Sequence, residues 1–373
     1  MKTNKSLLVY FHNRLVGTLA LTKDNRVAFE YDDDWLDNGF SISPFSLPLK
    51  KTVFIPEKLH FSGLFGVFAD SLPDAWGNVL VDRVLRKNGI DLGKISVLDR
   101  LAIVGSSGMG ALTYEPEIDM DKRIFAINYD MLANECKKIL NSEYSEELDT
   151  LYQLGGTSGG ARPKIMTEVD GEPWIIKFPA HVDPKDIGQM EYDYSVCAGK
   201  CGINIPETRL FPSKECKGYF GVKRFDRDGS KRKHMLTAAA LLELNFEEPS
   251  LDYHSLMKLT KIITRDNTSD IEEMYRRMCF NVFAHNRDDH SKNFTYIYTE
   301  EKNVWRLSPA YDLTYSNTYY GEHTTTVNGN GVNPTEDDLI KVGMDASMTR
   351  IRCVELMERV RNCVGDMLEE YLR

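Results

Sequence analysis

The stretch that most constrains this chain is Ala284–Phe294, AHNRDDHSKNF, a polar run set between an apolar helical pattern and an apolar strand pattern. It carries two adjacent aspartates, two histidines and two asparagines, more acids, bases and ligands than an ordinary turn needs. The elements around it divide the chain. Before it, residues 164–170 and 173–178 read as a hairpin turning at Asp170-Gly171, followed by a helix over 186–201 and strands near 207–211 and 219–224. From residue 236 the pattern becomes helical, over 236–245, 253–264 and 270–285, and again over 348–372. Further upstream, residues 6–31 alternate as a small antiparallel sheet, and a helix begins near Asp74 and ends near Gly89. A second helix starts near Ser96 and stops at GSSGMG, 105–110, while residues 116–147 are charged and helical in pattern. The expected organisation is an α+β front module (1–115), a strand-rich segment (116–225) and a helix-rich segment (226–373).

Composition limits what such a chain does. With 42% hydrophobic and 27% charged residues it is a globular protein, and no apolar run approaches the roughly 18 residues of a membrane span. The opening MKTNKSLLVYFHNRLVG turns polar too early for a signal peptide, so a cytoplasmic location without membrane partners is expected. The seven cysteines form no CxxC pair, and Cys197 and Cys201 are expected as small buried groups on a helix. A net charge of −10 disfavours direct contact with nucleic acid.

Within the polar run, Asp288 and Asn293 stand in the spacing Asp-x-x-x-x-Asn. Phosphoryl transfer in protein kinases uses that spacing to place a base at the acceptor hydroxyl and a hard oxygen ligand for magnesium. Asp289 has no partner at this spacing and is expected to be solvated. Residues 294–298 and 304–308 form two apolar arms around TEEKN, so a hairpin should return Asp312 beside Asn293 as a second metal ligand. Lys177, in the strand PWIIKF, is a candidate for holding phosphates, with Glu191 on the following helix as its candidate partner. The loop GGTSGGARPK, 155–164, has backbone N–H groups able to approach phosphates, with Arg162 and Lys164 adding positive charge. It matches neither GxGxxG nor a Walker motif. His285 and His290 lack the spacing of a zinc site, and Ser158 lacks a GxSxG elbow.

Taken in order, GGTSGGARPK, WIIKFP, GVKRFDR, NRDDHSKNF and AYDLT resemble HipA-type serine/threonine kinases, the toxins of bacterial toxin–antitoxin pairs. GLFGVFADSLPDAWG and LAIVGSSGMGAL resemble that family's N-terminal subdomain, so the likeness spans nearly the whole chain. The resemblance implies a two-lobed protein-kinase-like fold that uses ATP and Mg²⁺. It implies Asp288 as catalytic base with His290 and Lys292 supporting the loop, and Asn293 and Asp312 as metal ligands. Lys177, Gly159, Gly160, Ala161 and Lys164 would contact phosphates, and Lys223 and Phe225 in the hinge Val222–Phe225 would contact adenine. Autophosphorylation of the glycine-rich loop would fall on Thr157 or Ser158. The partner implied is a small helix-turn-helix antitoxin, with DNA met only through it, and the substrate a protein, with an aminoacyl-tRNA synthetase as the best-known class. The competing reading is a catalytically silent nucleotide-binding scaffold that holds its antitoxin and co-represses an operon.

Overall fold

The computed structural model describes residues 4–118, 128–318 and 321–373. The architecture is α+β, in two compact units. One comprises Met1–Gly188, Leu210–Leu236 and Ala240–Glu243, and the other Gln189–Arg209, Thr237–Ala239 and Leu244–Arg373.

In the first unit, alternation in SLLVYF buries Leu7, Val9 and Phe11 on one face of the strand Ser6–Phe11. His12 and Asn13 turn the chain with φ of 46° and 65°, which a two-residue hairpin requires, into Arg14–Leu21. The sheet runs in the order Val53–Phe54, Val27–Tyr31, Arg14–Leu21, Ser6–Phe11 and Leu112–Glu115. The last strand arrives from residues the alternation pattern does not reveal. The helix Ala75–Lys87 and the helix Val97–Val104, closed by a Ser96/Asp99 capping box, fall where expected. A second sheet has the order Lys164–Val169, Glu172–Lys177, Tyr219–Lys223 and Thr208–Phe211, with Asp170 and Gly171 at positive φ in its first turn. Trp76 and Leu80 of the front helix enter the same core as Ile165, Trp174, Ile176 and Phe178 of this sheet. The front segment and the strand-rich segment therefore share one hydrophobic core. Of the helical pattern expected over 116–147, residues 119–127 lie outside the described residues; the helix Tyr129–Leu140, capped by Asn128, forms, while residues 116–118 and 141–147 are not helical.

His234 in this unit is fully buried, its Nε2 2.8 Å from the Ile42 carbonyl, which fixes that nitrogen as the donor. Burial pushes the imidazole down from 6.5 to about 4. The unfolded chain thus takes up the proton first as pH falls, and stability drops between about pH 6.5 and pH 4. Urea unfolding across that window should show a loss of about 3 kcal/mol, flattened in His234→Gln.

The second unit is built on the helices Tyr253–Ile263, Thr268–Phe283 and Arg350–Leu372, with most of Ile187–Lys200. Cys197 and Cys201 are buried. The expected helix over 236–245 shortens to Ala238–Leu242, because Met235–Thr237 is extended. The capping box of Thr335 and Asp338 starts a helix, Glu336–Asp345, that periodicity did not signal. The hairpin forms as expected, Thr295–Thr299 against Val304–Leu307, with Asn303 at φ 48° in its turn. Among the described residues no helix is long and apolar enough to cross a membrane.

Candidate active site

The polar run begins where the helix Thr268–Phe283 runs out. His285 leaves it with φ 52°, and the chain is then held on its backbone. Arg287 N donates to the Ser316 carbonyl at 3.3 Å, Ser316 N to His285 O at 3.1 Å, and Thr324 N to Arg287 O at 3.0 Å. This lacing leaves the Asp288 side chain 57% exposed, with His290 Nε2 3.8 Å from its Oδ1. Asn293 donates through Nδ2 to the Asp288 carbonyl at 2.7 Å, so its amide oxygen is the atom left for a cation. Phe246, which nothing in the sequence marks, organises the rest. Its ring lies 5.7 Å from that of His290 and 4.4 Å from Lys292 Nζ. His285 instead sits near the Tyr315 ring, with its imidazole held below the usual range by burial and then by Arg287.

Asp289 is not solvated: it is fully buried, which corrects the expectation from spacing. Its carboxylate accepts from Tyr253 Oη at 2.9 Å, His323 Nδ1 at 3.0 Å and Thr325 N at 3.0 Å. A buried carboxylate must be met by donors, and these come from 34 to 36 residues away in sequence, where local spacing says nothing.

The hairpin returns its exit to the loop. Ser308 N donates to Thr295 O at 2.9 Å, and buried Arg277 donates to Ser308 O at 2.5 Å. Tyr311 Oη lies 2.6 Å from Thr295 Oγ1 and donates to Lys292 O at 2.6 Å. The Asp312 carbonyl is 3.4 Å from Asn286 Nδ2, and Asp312 itself has φ 52°. Aspartate tolerates that left-handed conformation better than most residues, at a cost on the order of 1 kcal/mol. Around this loop, Asn286 Oδ1, Arg287 Nε, His290 Nδ1 and Thr314 Oγ1 are buried with no hydrogen-bond partner. Native proteins rarely leave such atoms unmet, and their gathering here suits a place that receives a polar ligand. Among the described residues no three His, Cys, Asp or Glu side chains form a metal cluster. The donors on offer are one amide oxygen and one carboxylate, hard ligands of the kind magnesium takes alongside phosphate oxygens and water.

In the first unit, Lys164 and Lys177 are directly paired on neighbouring strands, 7% and 9% exposed. Residues so opposed hold their Cβ atoms about 5 Å apart on one face. Lys177 Nζ lies 5.4 Å from the Phe220 ring centre. A Cβ added at Gly160, where φ is +83°, would stand 2.5 Å from Lys164 Nζ, which places that ammonium against the glycine-rich loop. The loop is docked on the helix Ala75–Lys87. Asp74 accepts from Gly160 N at 2.8 Å rather than capping its own helix, and Trp76 Nε1 donates to Lys164 O at 3.1 Å. Gly159 and Ala161 flank this contact. Ser158 is buried and donates to Gly155 O at 2.6 Å, whereas half-buried Thr157 donates to Ser107 O at 3.2 Å. Arg162 is paired with Asp183 at 2.9 Å. Glu191 is buried on the helix Ile187–Lys200.

At the expected hinge, the Lys223 ammonium is paired with Glu172 at 3.0 Å, the Arg224 amide donates to Pro173 O at 2.8 Å, and Phe225 is half-buried. Directly after it comes a clasp the motifs did not reveal. Asp226 is fully buried, accepting from Arg224, Arg227 and the Gly110 amide, and Arg227 and Arg232 donate to the Gly108 and Gly110 carbonyls. It fixes the GSSGMG turn of the front segment to the strand-rich segment.

An α+β chain with an exposed aspartate on a braced loop, followed by an asparagine oxygen and a hairpin-delivered aspartate, defines the protein-kinase-like class of folds. Residues 7–115 match the HipA N-terminal domain and residues 156–368 the HipA-like C-terminal domain. The chain belongs to the HipA family. It is similar to two proteins of Sinorhizobium fredii, "Putative kinase Y4dM" (27% identical, covering 86% of this chain and 80% of that protein) and "Putative kinase Y4mE" (22%, covering 83% and 77%). Among solved structures it resembles HipA of Shewanella oneidensis MR-1, determined with HipB and operator DNA. That match has a TM-score of 0.73 at 16% identity, covering 98% of this chain and 90% of that one, and it shows a shared fold.

Proposed function

We propose that this protein is an ATP- and Mg²⁺-dependent serine/threonine protein kinase acting in the cytoplasm as the toxin of a toxin–antitoxin pair. The observation that carries the reading is the polar loop, where Asp288 alone of the two adjacent aspartates is exposed while Asn293 keeps an amide oxygen beside it. Asp288 would accept the proton of a protein hydroxyl, with His290 and Lys292 holding the loop against Phe246. Asn293 and Asp312 would hold the metal, which supplies charge neutralisation at the transferring phosphoryl group. Lys164 and Lys177 would hold phosphate oxygens with the backbone of Gly159, Gly160 and Ala161, and the hinge residues Lys223 and Phe225 would flank the adenine. The Shewanella protein was solved with HipB and operator DNA. By extension the partner here is a small DNA-binding antitoxin, and this acidic chain meets DNA through it.

Titration calorimetry tests the nucleotide site: ATP should bind with Mg²⁺ present, and Lys177→Ala should weaken binding at least tenfold. Equal affinity in the variant would remove Lys177 from the site. For the glycine-rich loop we assign Thr157 as the phosphorylated residue, because its hydroxyl is the accessible one of the pair. After incubation with ATP, peptide mapping should find phosphate on Thr157 and none in Thr157→Ala, with Ser158→Ala still modified. Phosphate on Ser158 would reverse the assignment.

A further inference from the structure

Asp289 is the second of the paired aspartates, and its burial makes it too remote from solvent to meet a substrate. Its carboxylate ends a chain of hydrogen bonds running in one direction. Asn286 Nδ2 donates to Asn281 Oδ1 at 2.9 Å, Asn281 Nδ2 to Tyr253 Oη at 2.9 Å, and Tyr253 Oη to Asp289 Oδ2 at 2.9 Å. The same Asn286 Nδ2 lies 3.4 Å from the Asp312 carbonyl. From the other side, Thr325 clasps Asp289 twice, N to Oδ1 at 3.0 Å and Oγ1 to the backbone carbonyl at 2.5 Å, while His323 Nδ1 adds a third donor to the carboxylate. Asn286, Asn281, Tyr253, Asp289, His323 and Thr325 are buried, so water does not compete, and bonds aligned head to tail strengthen one another.

We propose that Asp289 is a positioning residue for the reaction. Its carboxylate fixes the backbone that presents Asp288 and, through Tyr253, Asn281 and Asn286, sets that loop's register against Asp312. The proposal rests on the kinase reading above for its catalytic consequence, though not for its structural one. Positioning matters because a displacement of about 1 Å in a reacting group costs on the order of 10²-fold in rate. The pair of aspartates thus divides the labour: the exposed one acts, and the buried one holds it in place.

The test uses the full chain carrying Asp289→Asn or Tyr253→Phe, the second removing only the oxygen that links the chain. Two readouts are taken: kcat and KM for ATP, and amide hydrogen exchange without nucleotide. Both variants should lose kcat, about 10²-fold in Asp289→Asn and about tenfold in Tyr253→Phe, with KM for ATP within threefold of the parent. Exchange should accelerate over 285–293 and 312–316 while the helix Arg350–Leu372 keeps its protection. If Asp289→Asn loses protection throughout, Tyr253→Phe decides alone by the same criteria. A kcat within twofold of the parent, or unchanged exchange in the loop, overturns the proposal. If the parent protein transfers no phosphate, the kinase reading fails separately, and the exchange measurement still decides whether Asp289 sets the loop.

Discussion

Asp288→Asn should lower phosphoryl transfer about 10³-fold while leaving the unfolding midpoint and the affinity for ATP unchanged. The expectation follows from where the side chain sits. Asp288 is 57% exposed, His290 Nε2 lies 3.8 Å from its Oδ1, and the loop is held by backbone contacts and by Asp289. Asparagine keeps the size and polarity but cannot accept a proton, so the loss isolates the base, whose contribution is typically 10²–10⁴-fold. Steady-state kinetics beside thermal unfolding checks both halves. A variant that melts early would show that the carboxylate serves the fold, and one that keeps full activity would place the base elsewhere.

Asp226→Ala should be the most damaging single change to the first unit, costing about 3–5 kcal/mol in urea unfolding at pH 7. Burial alone would raise this carboxyl's pKa, but the hydrogen bonds and charge of Arg224, with Arg227 and the Gly110 amide, hold it below the ordinary carboxylate value. The sign follows: a depressed folded-state pKa means stability present above about pH 4 and lost as pH falls through the lowered value. Removing the carboxylate leaves the Arg224 and Arg227 guanidinium groups without their shared acceptor and the Gly110 amide without its own. The acid loss differs from that of His234, which begins near pH 6.5, so a stability profile against pH separates the two. Asp226→Ala with a cost under about 1 kcal/mol would mean that the Gly108 and Gly110 carbonyls suffice for the arginines.

Elements written in local pattern were legible in the sequence. The first hairpin follows from alternation broken by His12-Asn13, the second from Asp170-Gly171, and the hairpin after the polar run from two arms around TEEKN. The Asp288 and Asn293 spacing is local too, a matter of one short loop. What the sequence hid depends on contacts far along the chain. The burial of Asp289 requires Tyr253, His323 and Thr325, and the bracing of His290 and Lys292 requires Phe246. Spacing treated the two aspartates as one working group and one solvated spare, whereas burial makes the second a structural anchor. The Asp226 clasp escaped notice for the same reason, since its glycine partners lie more than a hundred residues upstream. Trp76 likewise shows how a helix read as part of the front module lends its face to the core of the following sheet.

The most direct measurement follows the γ-phosphate itself. Purified protein is mixed with ATP labelled at the γ position in the presence of Mg²⁺, and the label is traced to ATP, inorganic phosphate or protein. ADP should be released with label on protein hydroxyls, Thr157 among them, and Asp288→Asn should transfer about 10³-fold less. ATP bound by the protein but recovered intact, with no label moved under Mg²⁺ or Mn²⁺, would contradict this expectation and leave the chain a nucleotide-holding scaffold.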